Sequence, residues 1–330
     1  MTSPAEQITR SAALSPDSVD RIRALAARVE AADGAPPLDE QAELRLAHTA
    51  DGVEHVVLRA GEAVLGYAQI ERAQVERAQV ERAQAGRAQA EPAGDQPPNR
   101  PLEPATAEIL VGVDGERTRL AAALFDAAED GNGSVLVWAR GDGGPVRAEA
   151  ERRAYEPVRT LLTMARPSAG IPVSTRPLPA DVTIRPFVPG QDNAAWLGVN
   201  ARAFASHPEQ GRWTQTDLDD RIAQPWFDPA GFLLAVADDG RLLGFHWTKR
   251  HSPQLGEVYV IGMDPSEQGR GLGRTLLLAG LDYLQSTGAE TVILYTDEEN
   301  QGAVRLYQNT GFAITRRLTQ YRRPGGPSTA

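Results

Sequence analysis

The residues best suited to chemistry lie in the last third of the chain. In "SEQGRGLGRTLL" (266–277), Gly269, Gly271 and Gly273 alternate beside Arg270 and Arg274, directly after the apolar run "EVYVIGMDP". A strand that turns through glycines into a helix offers free backbone N–H groups, and glycine lets a bulky anion come close, so a pyrophosphate is the natural guest. It is not a dinucleotide fingerprint, which would need glycine where Arg274 stands, and no Gly-Lys-Ser/Thr ending marks a nucleoside-triphosphate loop. Glu257 opens the apolar run and could accept a proton; Tyr307 lies further on and could donate one. Each has a plainer reading: the glycines as a tight turn, Glu257 as a solvated strand end, Tyr307 as a core aromatic, Asn300 as a helix N-cap.

Elements must hold these residues in place. Residues 16–32 put Ile22, Leu25, Ala26 and Val29 on one helical face, with Ser15 as N-cap, Pro16 at the first position and Gly34 beyond the end. "HVVLRAGEAVLGYAQI" reads as two strands around Gly61. A five-residue repeat then dissolves into proline over 71–105. Its step of about 140° per repeat makes no buried helical stripe, so it reads as a solvated insertion. Strand "AEILVGV", helix "RTRLAAALFDAAEDG" and strand "SVLVWA" follow, and "AEAERRAYEPVRTLLTMAR" starts as a helix that Pro157 breaks or bends. Residues 166–180, rich in proline, read as a linker.

The second half repeats this order. "FLLAVADDGRLLGFHW", "EVYVIGMDPSEQGRGLGRTLLLAGLDYL" and "TVILYT" echo "HVVLRAGEAVLGYAQ", "EILVGVDGERTRLAAALFDAA" and "SVLVWA". The expectation is two tandem α/β domains, each a mixed, mostly antiparallel sheet flanked by helices: 1–165, and 181–330 carrying the chemistry. In the first, "DGERTRL" stands where the second has its glycine turn. In the second, strand alternation puts Lys249 and Trp247 on one face and His246 and Thr248 on the other, with His246 a packed side chain rather than a base.

Composition narrows the partners. Lys+Arg 34 against Asp+Glu 44 leaves a formal charge of −10, which argues against a nucleic acid. With Cys 0, disulfides, thiolate metal sites and a cysteine nucleophile are excluded, and no metal is expected. No apolar run has the length of a signal peptide core or a membrane span. The expectation is a cytoplasmic monomer acting on a small molecule, with no membrane partner.

Gln268, Gly271 and Gly273 match the pattern Gln/Arg-x-x-Gly-x-Gly/Ala, and "ILYTDEENQGAVRLYQNTGF" follows with Asn300, Ala303, Tyr307, Gly311 and Phe312 in the frame Asn-x-x-Ala-x-x-x-Tyr-x-x-x-Gly-Phe. On these two motifs the chain resembles the GNAT acetyltransferase superfamily. The resemblance implies acetyl-CoA as donor. It implies backbone contacts to the acetyl group at Ile261, Gly262 and Met263, and a pyrophosphate grip by Gln268, Gly269, Arg270, Gly271, Leu272, Gly273 and Arg274. It implies further contacts at Asn300, Gln301, Gly302, Ala303, Val304 and Arg305, with Glu257 as base and Tyr307 as acid. "HPEQGRWT", "GFHWTKRH" and "LGEVYVIGMDP" are similar to tandem-domain members that acetylate the cysteinyl amine of cysteinyl-glucosaminyl-inositol. That similarity implies substrate contacts at Glu209, Lys249, Glu257 and Tyr295, with Glu40 of the first domain. The first domain departs from that pattern: "DGERTRL" lacks the glycines that admit a pyrophosphate closely, so it is expected to bind CoA weakly or not at all. Two alternatives stand beside this reading: a superfamily member with another amine or aminoglycoside substrate, and a non-catalytic acyl-CoA sensor.

Overall fold

A computed structural model describes residues 5–34, 36–72, 104–132, 135–141, 143–172, 177–205, 207 and 210–324. They form two compact units, Met1–Thr160 with Arg317–Ala330, and Leu161–Arg316. Nearly all of the repeat insertion lies outside the described residues.

The first unit runs β1 (Glu6–Ser11), α1 (Pro16–Asp33), α2 (Glu40–Leu46), β2 (Val53–Ala60), β3 (Ala63–Glu71), β4 (Ala105–Val111), α3 (Arg117–Glu129), β5 (Val135–Arg140) and α4 (Pro145–Arg152). The far half of β12 (Ala313–Arg322) completes it. Sheet order is β1-β2-β3-β4-β5-β12, antiparallel except for β4 beside β5. Helix α1 forms as its pattern dictates: Ser15 accepts from Ser18 N, Gly34 ends it at φ 70°, and Val19, Ile22, Leu25, Ala26 and Val29 are buried.

The second unit takes the far half of β6 (Glu156–Pro167), then β7 (Val182–Pro186), α5 (Asn193–Ala203), α6 (Gln215–Ile222), β8 (Phe232–Ala237), β9 (Leu242–Arg250), β10 (Leu255–Met263), α7 (Leu272–Ser286), β11 (Thr291–Asp297) and α8 (Gln301–Gln308). Its order, β7-β8-β9-β10-β11-β6, repeats that of the first unit, again with one parallel pair, β10 beside β11. The internal repeat is thus one sheet pattern built twice.

The boundaries differ from the expected 1–165, 166–180 and 181–330. Arg166 and Pro167 are not linker but strand, paired with β11; the Arg166 guanidinium donates to Thr310 O at 2.5 Å, and Ser168 Oγ bonds Ala289 O. At the other end, Leu318 to Arg322 pair with β5 and bury Tyr321 in the first unit's core, so the chain's last strand serves both units. Residues 148–166 start as a helix, as expected, but the helix ends before Pro157. Helix α4 stops at Arg152, Ala154 at φ 56° turns the chain, and Pro157 lies in a strand rather than in a bent helix. Strand β1, unforeseen, has six exposed residues and no apolar alternation to betray it.

Candidate active site

Strand β10 is the axis of the site. It pairs with β11 from Leu255↔Thr291 to Val258↔Leu294, and there the pairing stops, although β10 continues to Met263 and β11 to Asp297. On its other side β10 stays paired with β9 as far as Met263↔Gly244. Backbone groups of 259–263 that point toward β11 therefore have no ladder partner there, and Ile261, Gly262 and Met263 lie in this parted stretch. A bulge sits at its start, where the register shifts between Val258 and Val260 and Tyr259 is the extra residue. Gly262 has a packing reason of its own: a Cβ would stand 3.0 Å from the rings of Phe204 and Phe245.

Beyond Met263 the chain enters the glycine turn. Gly269 and Gly271 have φ 79° and 83°, in the left-handed region that penalises any Cβ. A Cβ built on Gly269 meets nothing within 4 Å, so the turn is open. Gly271 is the N-cap of α7 and no side chain caps the helix, which leaves its first N–H groups available to an anion. Gln268 is exposed and extended, Leu272 is buried, and Gly273 faces Met263, whose Cγ would lie 3.5 Å from a Cβ there. These features fit a pyrophosphate. Arg270 departs from expectation: its guanidinium is paired with Glu267 at 2.5 Å and with Asp181 at 3.4 Å, so its charge is spent on carboxylates rather than left to the turn. Arg274 is half-buried in the first turn of α7.

Helix α8 begins at Asn300, whose Oδ1 accepts from Ala303 N at 3.1 Å; the N-cap reading is realised. Gln301, Gly302 and Arg305 are exposed, while Val304 and Tyr307 face the core. Tyr307 packs edge-on against Phe312, with centroids 5.9 Å apart, in a cluster shared with Val258, Leu277 and Leu294. Burial pushes its phenol up to about 12. It is a core aromatic and a fully protonated phenol at once.

The opposite face of β10 carries polar chemistry. Glu257 is the register partner of Lys249 on β9 and of Ile293 on β11, and Tyr295, two residues beyond Ile293, shares that face and is 40% exposed. The Lys249 ammonium lies 4.7 Å from the Trp226 ring centre and 5.3 Å from that of Tyr259. Arg221 stacks 3.8 Å over Trp213 and donates to the Tyr259 hydroxyl at 2.8 Å. The bulge residue Tyr259 thus joins two cations to an aromatic wall. Trp247 belongs to this wall, stacked 4.3 Å from Phe232, whereas His246 points to the other face. There its Nδ1 meets Leu276 O at 2.9 Å, and burial lowers it to about 4. His246 is a packed, neutral side chain, as its lone position in the strand implied.

Of the other expected substrate contacts, Glu40 opens α2 in the first unit, and Glu209 lies outside the described residues. Sequence reasoning missed His251, Trp226, Tyr259 and Arg221. His251 closes "HWTKRH", where alternation from Lys249 points it to the Glu257 face, a signal that was there to be read. Among the described residues no group of three or more His, Asp or Glu stands together as a metal would need, and no helix is long and apolar enough to cross a membrane.

A turn that can cradle a pyrophosphate, fed by a strand whose freed N–H groups can meet an acyl oxygen, is the layout of an N-acetyltransferase of the GNAT class, and the Acetyltransferase (GNAT) family model matches residues 199–312. A solved structure, a tandem GNAT protein from the clavulanic acid biosynthesis pathway, shares the fold at a TM-score of 0.67 and 17% identity, covering 98% of this chain and all of its own. At the level of sequence the likeness is closer. The mycothiol acetyltransferase of Streptomyces avermitilis is 42% identical over 94% of this chain and 93% of its own length. That of Geodermatophilus obscurus is 44% identical over 91% and 92%. This chain belongs to the mycothiol acetyltransferase family.

Proposed function

We propose that this enzyme transfers the acetyl group of acetyl-CoA to the cysteinyl amine of cysteinyl-glucosaminyl-inositol, giving mycothiol. One observation carries the reading: β10 and β11 part immediately after Val258↔Leu294, one residue beyond the buried carboxylate of Glu257. An acyl group reaching into that gap would have backbone N–H donors at its oxygen and Glu257 beside the incoming amine.

Each part of the reaction then has a residue. Glu257 takes the ammonium proton, directly or through water, so that nitrogen can form its bond to the acetyl carbon. Backbone N–H groups within 261–263 stabilise the charge that develops on the carbonyl oxygen. The open turn 268–274 and the start of α8, 300–305, hold the pyrophosphate and pantetheine. As the carbon–sulfur bond breaks, Tyr307 offers its O–H to the sulfur. Its raised pKa keeps the proton in place, and the same dry surroundings make a thiolate there a stronger base. Lys249 and Tyr295 donate to substrate oxygens, and Glu209 adds a second carboxylate. The first unit, with Glu116 at the N-cap of α3 where the second has Gly271, acts as scaffold and takes CoA weakly or not at all.

Turnover of acetyl-CoA, followed by mass spectrometry with the pseudodisaccharide, free cysteine, glucosamine and an aminoglycoside as competing acceptors, tests this reading. Strong preference for the pseudodisaccharide supports it. Preference for another acceptor would reassign the substrate, and acetyl-CoA binding without turnover would favour a sensor.

A further inference from the structure

His251 lies just past β9, at the start of the turn into β10, and its Nε2 is 2.6 Å from Glu257 Oε2. The Glu257 side chain is 8% exposed and the His251 ring 34%, so the contact runs from a dry carboxylate to a ring at the surface. The turn that carries His251 is locked by its own hydrogen bonds. His251 N donates to Leu255 O at 2.9 Å, Ser252 Oγ accepts from Gln254 N and Leu255 N, and Arg250 donates to Pro253 O at 2.9 Å. The backbone that carries the imidazole is therefore fixed. Around Glu257, the neighbouring strands supply Lys249 in register on β9, drawn toward Trp226 and Tyr259, and the apolar Ile293 on β11. Among the described residues, it is the His251 ring that meets this carboxylate in a short hydrogen bond.

We propose that His251 is a positioning residue for Glu257. It donates Nε2–H to Oε2, which fixes the plane of the carboxylate and leaves Oε1 as the oxygen turned to the substrate amine. The proposal rests on Glu257 being the proton acceptor. In the transfer, the amine proton passes to Oε1 and the imidazole keeps its own proton. His251 touches no reacting atom.

The test is kcat/KM against pH for His251→Leu, His251→Gln and Glu257→Gln, with acetyl-CoA and cysteinyl-glucosaminyl-inositol. The leucine variant removes the donor, and its acid limb is expected to lie at higher pH than that of the wild type, with roughly tenfold lower kcat at pH 7 and an unchanged KM for acetyl-CoA. The glutamine variant keeps an N–H donor and is expected to keep the wild-type limb. A wild-type profile in the leucine variant would overturn the proposal. So would a glutamine variant as slow as the leucine one, since His251 would then accept the proton itself. Failure of the underlying reading has its own signature: Glu257→Gln would turn over at the wild-type rate.

Discussion

Lys249 and Glu257 are register partners across β9 and β10, so ammonium and carboxylate rise side by side from one face of the sheet. The ammonium leans toward the rings of Trp226 and Tyr259, at 4.7 and 5.3 Å. Rings that fix a cation beside the proposed proton acceptor give it a defined direction in which to donate, and the oxygens of a hydroxyl-rich acceptor are its natural partners. Lys249→Met should raise KM for the pseudodisaccharide about tenfold or more, the loss of one charge-assisted hydrogen bond, and leave KM for acetyl-CoA unchanged. Steady-state kinetics with each substrate varied in turn would show it; an effect confined to acetyl-CoA would contradict the assignment.

Tyr307 offers a cleaner separation of binding from chemistry. Its ring is part of the core, with Phe312 against it, and phenylalanine keeps that packing. Tyr307→Phe should lower kcat by about 10² or more while the melting temperature and the affinity for acetyl-CoA stay close to wild type. Since the phenol is pushed up to about 12, the wild-type rate should show no basic limb from this group below about pH 10. Unchanged turnover in the variant would remove Tyr307 from the reaction.

At Gly271 the backbone itself is at stake. With φ 83°, an alanine costs on the order of 1 kcal/mol in strain, and the relaxation that relieves it would redirect the first N–H groups of α7. Gly271→Ala should raise KM for acetyl-CoA several-fold with little change in KM for the amine. A variant that binds acetyl-CoA as wild type would show that the turn is only a turn.

His246 ties stability to pH. Its buried ring titrates near 4 instead of the ordinary 6.5, so between those values the unfolded chain binds a proton that the folded chain does not. The stability associated with the neutral ring is complete above about pH 6.5 and is lost as pH falls toward 4, in total on the order of 3 kcal/mol at full burial. Urea unfolding at pH 7 and pH 5 should show this slope in the wild type and a shallower one in His246→Leu. Equal slopes would place the titration elsewhere.

The parts of the molecule that sequence could reveal are those whose signal is local. Ser15, Pro16 and Gly34 bracket α1 within one stretch, and the alternating glycines announce both the turn and its open floor because φ near 80° leaves few other residues possible. Asn300 was legible as a cap because its partner, Ala303 N, is three residues away. What escaped depends on residues brought together from a distance. The aromatic wall draws on Trp213, Trp226, Trp247 and Tyr259, with no spacing to link them, and the Tyr259 bulge is visible only once β9 has been laid beside β10. The exchange of last strands escaped for the same reason. Nothing within "TLLTMAR" or "RRLTQY" says which sheet it joins. The charge of Arg270 was over-read because Asp181 is eighty-nine residues away in sequence.

The central claim is that nitrogen, and the cysteinyl nitrogen in particular, receives the acetyl group at Glu257. Incubating the protein with acetyl-CoA and cysteinyl-glucosaminyl-inositol and locating the new acetyl group by fragmentation in the mass spectrometer tests it most directly. The expected product carries acetyl on the cysteinyl nitrogen with its thiol free, and forms at least a hundredfold more slowly with Glu257→Gln (about 10²–10⁴ for a lost general base). Acetyl found on sulfur or a sugar hydroxyl, or no acetylated product while acetyl-CoA binds, would contradict the account.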